Sequence, residues 1–136
     1  MIPPRTILLA DDDLEVRLGV ADLLGGIGLH VVHAEDGLEA VRIVRVEAID
    51  AALLDMYMPG CSGIEALPLI HGVRAGLPCI VYSGRWTPDL EREVLRAGAV
   101  ACLKKPVEPD LLRREMLRIL GLGPGGANPR APGGLN

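Results

Sequence analysis

The sequence predicts a doubly wound α/β fold, in which a parallel sheet of five strands is covered by helices on both faces. Short apolar segments alternate along the chain with segments of helical periodicity, which is typical of βα units. The apolar run at residues 51–54 has no polar side chain on either face, as expected of a strand buried between two helical layers. Several of these segments end in acidic or hydroxyl residues, and such folds bind ligands at the carboxyl edge of the sheet. We expect the strand order 2-1-3-4-5.

Local patterns place the strands and the first two helices. The strands are expected at about residues 6–10, 30–34, 51–55, 79–83 and 101–103. Asp13 can cap a first helix that runs to about Gly25. Its core-facing apolar positions recur at helical spacing: Val16, Val20, Leu23, Leu24 and Ile27. We interpret Gly19 in this helix as a point of close packing on the sheet, because glycine there costs about 1 kcal/mol relative to alanine. Asp36 and Gly37 start the second helix.

The later helices have start and turn signals of their own. Residues 59–63 have turn chemistry, and the helix that follows contains Pro68. Pro68 lacks a backbone N–H and is expected to kink or shorten this helix. Thr87 and Pro88 place a capping hydroxyl and a proline at the start of the fourth helix. Pro109 opens the last helix. That helix is expected to face the core with Leu112, Met116, Ile119 and Leu120.

The composition favours one reduced, cytoplasmic domain. The 136 residues suffice for one domain and not comfortably for two. Lys and Arg number 14 against 18 Asp and Glu, a net charge of −4, so direct nucleic-acid binding is not expected. The first residues resemble neither a signal peptide nor a membrane span, and the three cysteines have no metal-binding spacing. We divide the chain into an N-terminal extension at 1–5, a folded domain at 6–120 and a disordered Gly/Pro-rich tail or truncated linker at 121–136.

Reactive side chains are predicted to meet at the carboxyl edge of the sheet. Asp11 and Asp12 follow the first strand, and Asp55 ends the third, which is its neighbour in the expected order. Two carboxylates about 4 Å apart repel by roughly 4 kcal/mol at an effective dielectric near 20, so the cluster favours a cation. Oxygen ligands of this kind suit Mg²⁺. With Mg²⁺ and the ammonium of Lys105 beside it, Asp55 can attack a phosphoryl group, and Ser83 can donate its hydroxyl to a phosphoryl oxygen.

Five motifs at compatible spacing make the chain resemble the receiver domains of two-component response regulators. They are LLADDD at residues 8–13, DGLEA at 36–40, LLDMYMP at 53–59 with Gly63, YSG at 82–84 and KKP at 104–106. The resemblance covers residues 6–120 and implies a three-layer flavodoxin-like (βα)5 fold. It also implies a signalling switch that catalyses only its own phosphorylation and dephosphorylation.

The resemblance implies a phosphoryl and metal site. Asp55 matches the phosphoacceptor, and the donor is expected to be a histidine kinase or a histidine phosphotransfer protein. Asp11 and Asp12 match the acidic pair that holds Mg²⁺ together with Asp55, and Mn²⁺ is a possible substitute. Tyr57 matches the residue whose backbone carbonyl also binds the metal.

The resemblance further implies a switch. Ser83 matches the switch hydroxyl, and Gly84 matches the small neighbour that leaves room for the phosphoryl group. Lys105 matches the family's invariant lysine, and its peptide bond to Pro106 is expected to be cis. Phosphorylation is expected to change the partner preference of the face formed by helix 4, strand 5 and helix 5. An unknown output domain or protein would bind there, and a weak homodimer can form through the same face.

Two positions depart from the family pattern. Cys102 stands where most members have the aromatic residue whose rotamer reports the switch, and Val107 stands where phenylalanine is frequent. The usual coupling between hydroxyl and aromatic ring therefore cannot operate in this form. Output is then transmitted through the backbone of the loop after Ser83, or through another side chain. Trp86 is the candidate for that side chain, and a packing role as an anchor over the core is the alternative for it.

Two other functional classes stay open beside the phosphorylation switch. The chain can be an interaction module that keeps the fold without being phosphorylated, although the complete set of acids, hydroxyl and lysine favours the switch. It can also be a phosphatase or another phosphotransfer enzyme. A phosphatase of the haloacid-dehalogenase type would have a second aspartate two residues after Asp55, and that position is Tyr57.

Overall fold

Strands and helices alternate without exception along residues 4–122, the part of the chain that this computed structural model describes. The strands are β1 (Thr6–Ala10), β2 (His30–Ala34), β3 (Ala51–Asp55), β4 (Cys79–Ser83) and β5 (Ala101–Lys104). The helices are α1 (Leu14–Gly25), α2 (Gly37–Val46), α3 (Gly63–Val73), α4 (Pro88–Arg96) and α5 (Pro109–Ile119). The strands form one parallel sheet in the order β2-β1-β3-β4-β5, so the predicted fold class and strand order are confirmed.

Two apolar layers lie on opposite faces of the sheet. Every residue of β3 and β4 is buried, because these strands have neighbours on both sides and helices above and below. The layer under α2, α3 and α4 contains Leu8, Leu54, Leu67, Ile70, Val81 and Val94. The layer under α1 and α5 contains Leu9, Val20, Leu24, Leu53, Ile80, Leu112 and Met116. Successive residues of each strand enter opposite layers, as the period of two in a strand requires.

The predicted helix caps are present. The Asp13 carboxylate accepts the N–H of Val16 at 3.2 Å, and the Thr87 hydroxyl accepts the N–H of Leu90 at 3.1 Å. A further cap, not predicted from the sequence, is the capping box of Ser62 at the start of α3, where Ser62 and Glu65 exchange hydrogen bonds in both directions. These contacts satisfy N–H groups that have no partner inside the helix.

Two local expectations are wrong. Gly19 does not mark close packing, because it is exposed and a Cβ atom there would meet nothing within 4 Å. Of the two effects expected of Pro68, a kink or a shorter helix, the shortening is wrong, because α3 continues to Val73. Pro68 is exposed, so its ring faces solvent and not the sheet. Strand β5 also extends one residue further than predicted, to Lys104.

The predicted N-terminal extension at 1–5 and the predicted tail at 121–136 lie only partly within residues 4–122. Residues 1–3 of the predicted extension and residues 123–136 of the predicted tail lie outside the described part. Within it, no helix combines the length and the apolar character that a membrane span requires. Cys61, Cys79 and Cys102 are free thiols.

Candidate phosphoryl and metal site

The carboxyl edge of the sheet brings the predicted acids and the lysine together. Because the strands are in parallel register, Ala10 lies beside Leu54 and Ser83 lies beside Lys104, so the residues that follow them share one edge. Lys105 Nζ lies 3.0 Å from Asp55 Oδ1 and 3.2 Å from Asp11 Oδ2. Asp11 is fully buried and Asp55 is 5% exposed, so this ammonium balances negative charge that is largely shielded from water.

Asp11, Asp12 and Asp55 form a group that fits a divalent cation. Each offers a carboxylate oxygen, and the three oxygens lie within 4.8 Å of one another. The set is all-oxygen, which hard cations such as Mg²⁺ prefer, and Asp12 is exposed, so the group opens to solvent. Three ionised carboxylates and the Lys105 ammonium sum to a charge of −2, which a divalent cation balances.

Burial changes the acidity of the two central groups. Burial raises the pKa of Asp55 to about 6, and the charge of Asp11 adds to this, while the hydrogen bond from Lys105 opposes it. Burial also disfavours the charged form of Lys105, but its hydrogen bonds and proximity to Asp55 and Asp11 outweigh this and raise its pKa. The lysine therefore stays a cation at neutral pH, and Asp55 ionises less readily than an ordinary aspartate.

Asp11 is fixed by contacts that the sequence did not predict. Its Oδ1 accepts the N–H of Asp13 at 2.9 Å, and its Oδ2 accepts the hydroxyl of Tyr82. Its backbone carbonyl accepts Nη1 of Arg17 at 2.6 Å, and Nε of the same guanidinium donates to Nδ1 of His33 at 3.2 Å. The spacing could have shown that Arg17 is on the core face of α1, since it precedes the buried Val20 by three positions, but not which groups its guanidinium contacts.

Gly63 allows the end of β3 and the start of α3 to approach closely. Its N–H donates to the carbonyl of Met56 at 2.9 Å. A Cβ atom at position 63 would lie 2.5 Å from the backbone oxygen of Asp55, so no larger residue fits without moving the strand end. The glycine therefore helps to fix the backbone that carries Asp55. Beyond this turn, the side chain of Tyr57 is 61% exposed at the rim.

The Ser83 hydroxyl is engaged with its own loop. It donates to the carbonyl of Arg85 at 3.1 Å and accepts the N–H of Arg85 at 3.2 Å, and Ser83 is only 1% exposed. Gly84 is exposed, and a Cβ atom there would meet nothing within 4 Å. In this arrangement the hydroxyl stabilises the turn after β4.

Trp86 is anchored to β5. Its Nε1–H donates to the carbonyl of Leu103 at 2.7 Å, and its ring packs against the apolar layer that Cys102 also borders. The side chain therefore bridges the loop after Ser83 and the last strand. The peptide bond between Lys105 and Pro106 is cis.

An apolar groove lies beside the acids. It has a volume of about 540 Å³ and is lined by Glu15, Val16, Gly19, Val20, Leu23, Lys105, Pro106 and Val107. It therefore lies between α1 and the segment that joins β5 to α5, and it shares Lys105 with the acidic site. Gly19 leaves this groove open, which explains a helical glycine that packs against nothing.

Comparisons with known proteins agree with this geometry. The chain matches the profile of the response regulator receiver domain over residues 7–117. It is 35% identical over 118 residues to a cyclic di-GMP phosphodiesterase of Thermotoga maritima, covering 85% of this chain and 31% of that protein. It is 30% identical over 116 residues to sporulation initiation phosphotransferase F of Bacillus subtilis, covering 85% of this chain and 94% of that protein.

A solved structure has the same fold. The receiver domain of the sensor histidine kinase PA1611 from Pseudomonas aeruginosa PAO1, which has a magnesium ion coordinated in its active-site cleft, matches with a TM-score of 0.80. The two are 28% identical, and the match covers 87% of this chain and 98% of that one. The chain spans between 12% and 31% of the length of several curated relatives, so the resemblance to those proteins concerns one of their parts. From the family match, the strand order and the acidic site together, we conclude that this chain belongs to the response regulator receiver domains of two-component signalling systems.

Proposed function

We propose that this receiver domain is a phosphorylation switch in which the carboxylate of Asp55 accepts a phosphoryl group. The observation that supports this most directly is the position of Lys105, whose ammonium bridges Asp55 and Asp11 beside the third carboxylate, Asp12. A buried nucleophile between a fixed cation and a cation-binding group is the arrangement that phosphoryl transfer needs, because charge develops on the phosphoryl oxygens.

Mg²⁺ is the metal that we assign to the site, and Mn²⁺ can replace it with the same oxygen ligands. Asp11, Asp12 and Asp55 would hold it through their carboxylates. The family resemblance adds the backbone carbonyl of Tyr57 as a further ligand. When bound, the metal supplies positive charge to the phosphoryl oxygens. Asp55 must be ionised both to bind it and to act as a nucleophile, so the raised pKa of Asp55 makes the site weaker in acid.

The transfer step forms one bond and breaks one. A carboxylate oxygen of Asp55 attacks phosphorus, and the bond between phosphorus and the donor's leaving atom breaks, with the electron pair going to the leaving group. With a phosphohistidine donor, the imidazole nitrogen keeps that pair and takes up a proton from solvent. Lys105 stays a cation throughout and balances the oxygens of the acyl phosphate. Ser83 can reach a phosphoryl oxygen only after its hydroxyl leaves the carbonyl of Arg85.

The donor and the output partner bind different surfaces in this proposal. A histidine kinase or a histidine phosphotransfer protein would dock at the groove between α1 and the segment after β5, because this groove is apolar and borders Lys105. The output face would be α4, β5 and α5, which lies next to the loop that follows Ser83 and contains Trp86. An output domain or protein, or a second copy in a weak dimer, would bind there. In this proposal the domain catalyses only its own phosphorylation and dephosphorylation.

Intact-mass measurement with acetyl phosphate tests the proposal. With Mg²⁺ present, the wild-type chain should gain the mass of one phosphoryl group, and Asp55→Asn should gain none. A chelator should abolish the gain in the wild type. No gain in a folded wild-type chain that binds Mg²⁺ would instead support the alternative of a phosphorylation-independent interaction module. An equal gain in Asp55→Asn would show that another residue is the acceptor.

A further inference from the structure

We infer that the hydroxyl of Tyr82 is a positioning group for the metal site, because it anchors Asp11 and keeps Lys105 shared between Asp11 and Asp55. This inference rests on the proposed function, since it concerns the cation-binding group of Asp11, Asp12 and Asp55. It assigns a role to a residue that an apolar strand pattern would otherwise identify only as core.

The position of Tyr82 follows from the sheet register. Tyr82 lies in β4 directly beside Asp55 in β3, and its carbonyl accepts the N–H of Met56 at 2.9 Å. Its side chain is fully buried and enters the apolar layer under α1 and α5, together with Leu9 and Leu103. From there the hydroxyl reaches Oδ2 of Asp11 at the sheet edge. A buried phenol needs an acceptor, and this carboxylate supplies one.

Both carboxylate oxygens of Asp11 accept hydrogen bonds. Each oxygen of an ionised carboxylate has about two acceptor positions. Oδ2 of Asp11 accepts the hydroxyl of Tyr82 at one of these positions and Nζ of Lys105 at the other, and Nζ lies 3.2 Å away. Oδ1 uses one for the N–H of Asp13, at 2.9 Å. The carboxylate is thus fixed on both oxygens, and the remaining acceptor position is on Oδ1.

Tyr82 also contacts Lys105 directly. The Lys105 ammonium lies 4.6 Å from the centroid of the Tyr82 ring, within the range of a cation–π interaction. The ring therefore contacts the cation of the site while the hydroxyl contacts its buried anion. If the hydroxyl were removed, Oδ2 of Asp11 would lose one of its two donors. The ammonium would then move toward Asp11 and away from Asp55. In its new position it would compete with a metal ion for the Asp11 carboxylate.

In the contact between these two residues, the Tyr82 hydroxyl is the donor and the Asp11 carboxylate is the acceptor. Hydrogen bonds from neighbouring groups that orient metal ligands typically change metal affinity by about 10–100-fold when they are removed.

The test is the affinity for Mg²⁺ of the Tyr82→Phe variant, measured by calorimetric titration of protein stripped of metal. The ring stays in place and only the hydroxyl is lost, so the fold should survive, which circular dichroism checks. We expect Mg²⁺ to bind about tenfold more weakly than to the wild type. Met116→Leu is the matched control, because Met116 is fully buried in the same layer and this swap conserves volume. It should bind Mg²⁺ like the wild type.

Nuclear magnetic resonance of the metal-free protein gives a second measure, independent of metal binding. Labelling the Lys105 side chain should show a changed ammonium environment in Tyr82→Phe and an unchanged one in Met116→Leu. Wild-type affinity together with an unchanged Lys105 signal in Tyr82→Phe would overturn the role of Tyr82 and leave the proposed function intact, as would tighter binding. Failure of the wild type itself to bind Mg²⁺ would overturn the proposed function and this inference with it.

Discussion

The Nζ atom of Lys105 lies 3.0 Å from Oδ1 of Asp55, yet this ion pair does not keep the pKa of the aspartate low. The side chain of Asp55 is 7% exposed, and burial raises its pKa to about 6 in spite of the lysine. In the metal-free protein, the ionised form of Asp55 is therefore a cost to stability. A cation bound to the carboxylate of Asp55 would offset this cost, because it favours the ionised form.

Replacing Asp55 by Asn should stabilise the metal-free protein at pH 7.5. The folded protein holds the Asp55 proton up to a pKa of about 6, whereas the ordinary value is 3.8, so ionisation lowers stability as pH rises through that interval. Asn carries no charge and avoids this loss. We expect a gain in Tm of about 4 °C or more, which corresponds to roughly 1 kcal/mol for a domain of this size.

Thermal unfolding of both proteins between pH 4 and 8, with chelator present, measures this effect. The advantage of Asp55→Asn should be small at pH 4 and reach its full size above pH 6. An advantage that is the same at all pH values would contradict a raised pKa of Asp55. Added Mg²⁺ should reverse the order, because it stabilises only the protein with all three carboxylates.

Replacing Lys105 by Met should destabilise the metal-free protein and slow phosphorylation. Asp11 and Asp55 would lose their shared ammonium, and removing one partner of a buried ion pair costs about 3–5 kcal/mol. Mg²⁺ should raise the Tm of this variant more than that of the wild type, since the ion no longer competes with the ammonium. Phosphorylation by acetyl phosphate should slow by about 10²–10³-fold, as when a preorganised charge is removed from a transition state.

The neighbouring residue offers the control for this experiment. Lys104 is also a lysine at the end of β5, but it is exposed and outside the acidic site. Lys104→Met should leave both the Tm shift caused by Mg²⁺ and the phosphorylation rate close to wild type. Similar losses in the two variants would mean that the general positive charge of this edge matters, and not the contact with Asp55.

The sequence predicted the fold and the acidic site because both depend on where apolar segments begin and end. Once β1 and β3 are adjacent, Asp11 and Asp55 must meet, since each follows or ends its strand at the same edge. The pairing needs no knowledge of side-chain conformation. The apolar stripes of the helices were predictable for the same reason, because a core-facing residue is identified by its period alone.

The contacts of Tyr82 and Arg17 were not predictable in this way. An aromatic residue inside an apolar strand fits core packing, and nothing in the pattern shows that its hydroxyl reaches Asp11. Arg17 has a charge that normally lies in solvent, but here its guanidinium finds acceptors on Asp11 and His33 and stays buried. The expectation for Gly19 is wrong for a similar reason. The sequence shows that a side chain is missing at this position, but it does not show the groove that the glycine leaves open.

Replacing Gly63 by Ala should disturb the site from the backbone. The new Cβ atom would lie 2.5 Å from the carbonyl oxygen of Asp55, so either β3 or α3 must move. Overpacking of this kind costs about 1–3 kcal/mol, and we also expect weaker Mg²⁺ binding because Asp55 shifts. Chemical denaturation and calorimetric titration with Mg²⁺ measure the two effects.

Gly72→Ala provides the comparison within the same helix. Gly72 is exposed in α3, and a Cβ atom there would meet nothing within 4 Å. Alanine should stabilise the helix there by about 0.5–1 kcal/mol without touching the site. If Gly63→Ala behaved like Gly72→Ala, the close approach of Asp55 and α3 would not constrain the site.

Trp86 should report phosphorylation through its fluorescence. It is the single tryptophan of the chain, so its emission is assigned without ambiguity. In the resting state its Nε1–H is bonded to the carbonyl of Leu103, and the loop before it is held by the bonds between Ser83 and Arg85. If the Ser83 hydroxyl turns to a phosphoryl oxygen, the loop loses these bonds and the indole should leave Leu103 for a wetter environment. We therefore expect a red shift with beryllofluoride and Mg²⁺, no shift in Asp55→Asn and a reduced shift in Ser83→Ala. Wild-type protein treated with acetyl phosphate and Mg²⁺, and shown by intact mass to carry a phosphoryl group, should show the same red shift. Unchanged emission in that protein would exclude Trp86 from the switch and favour transmission through the backbone alone.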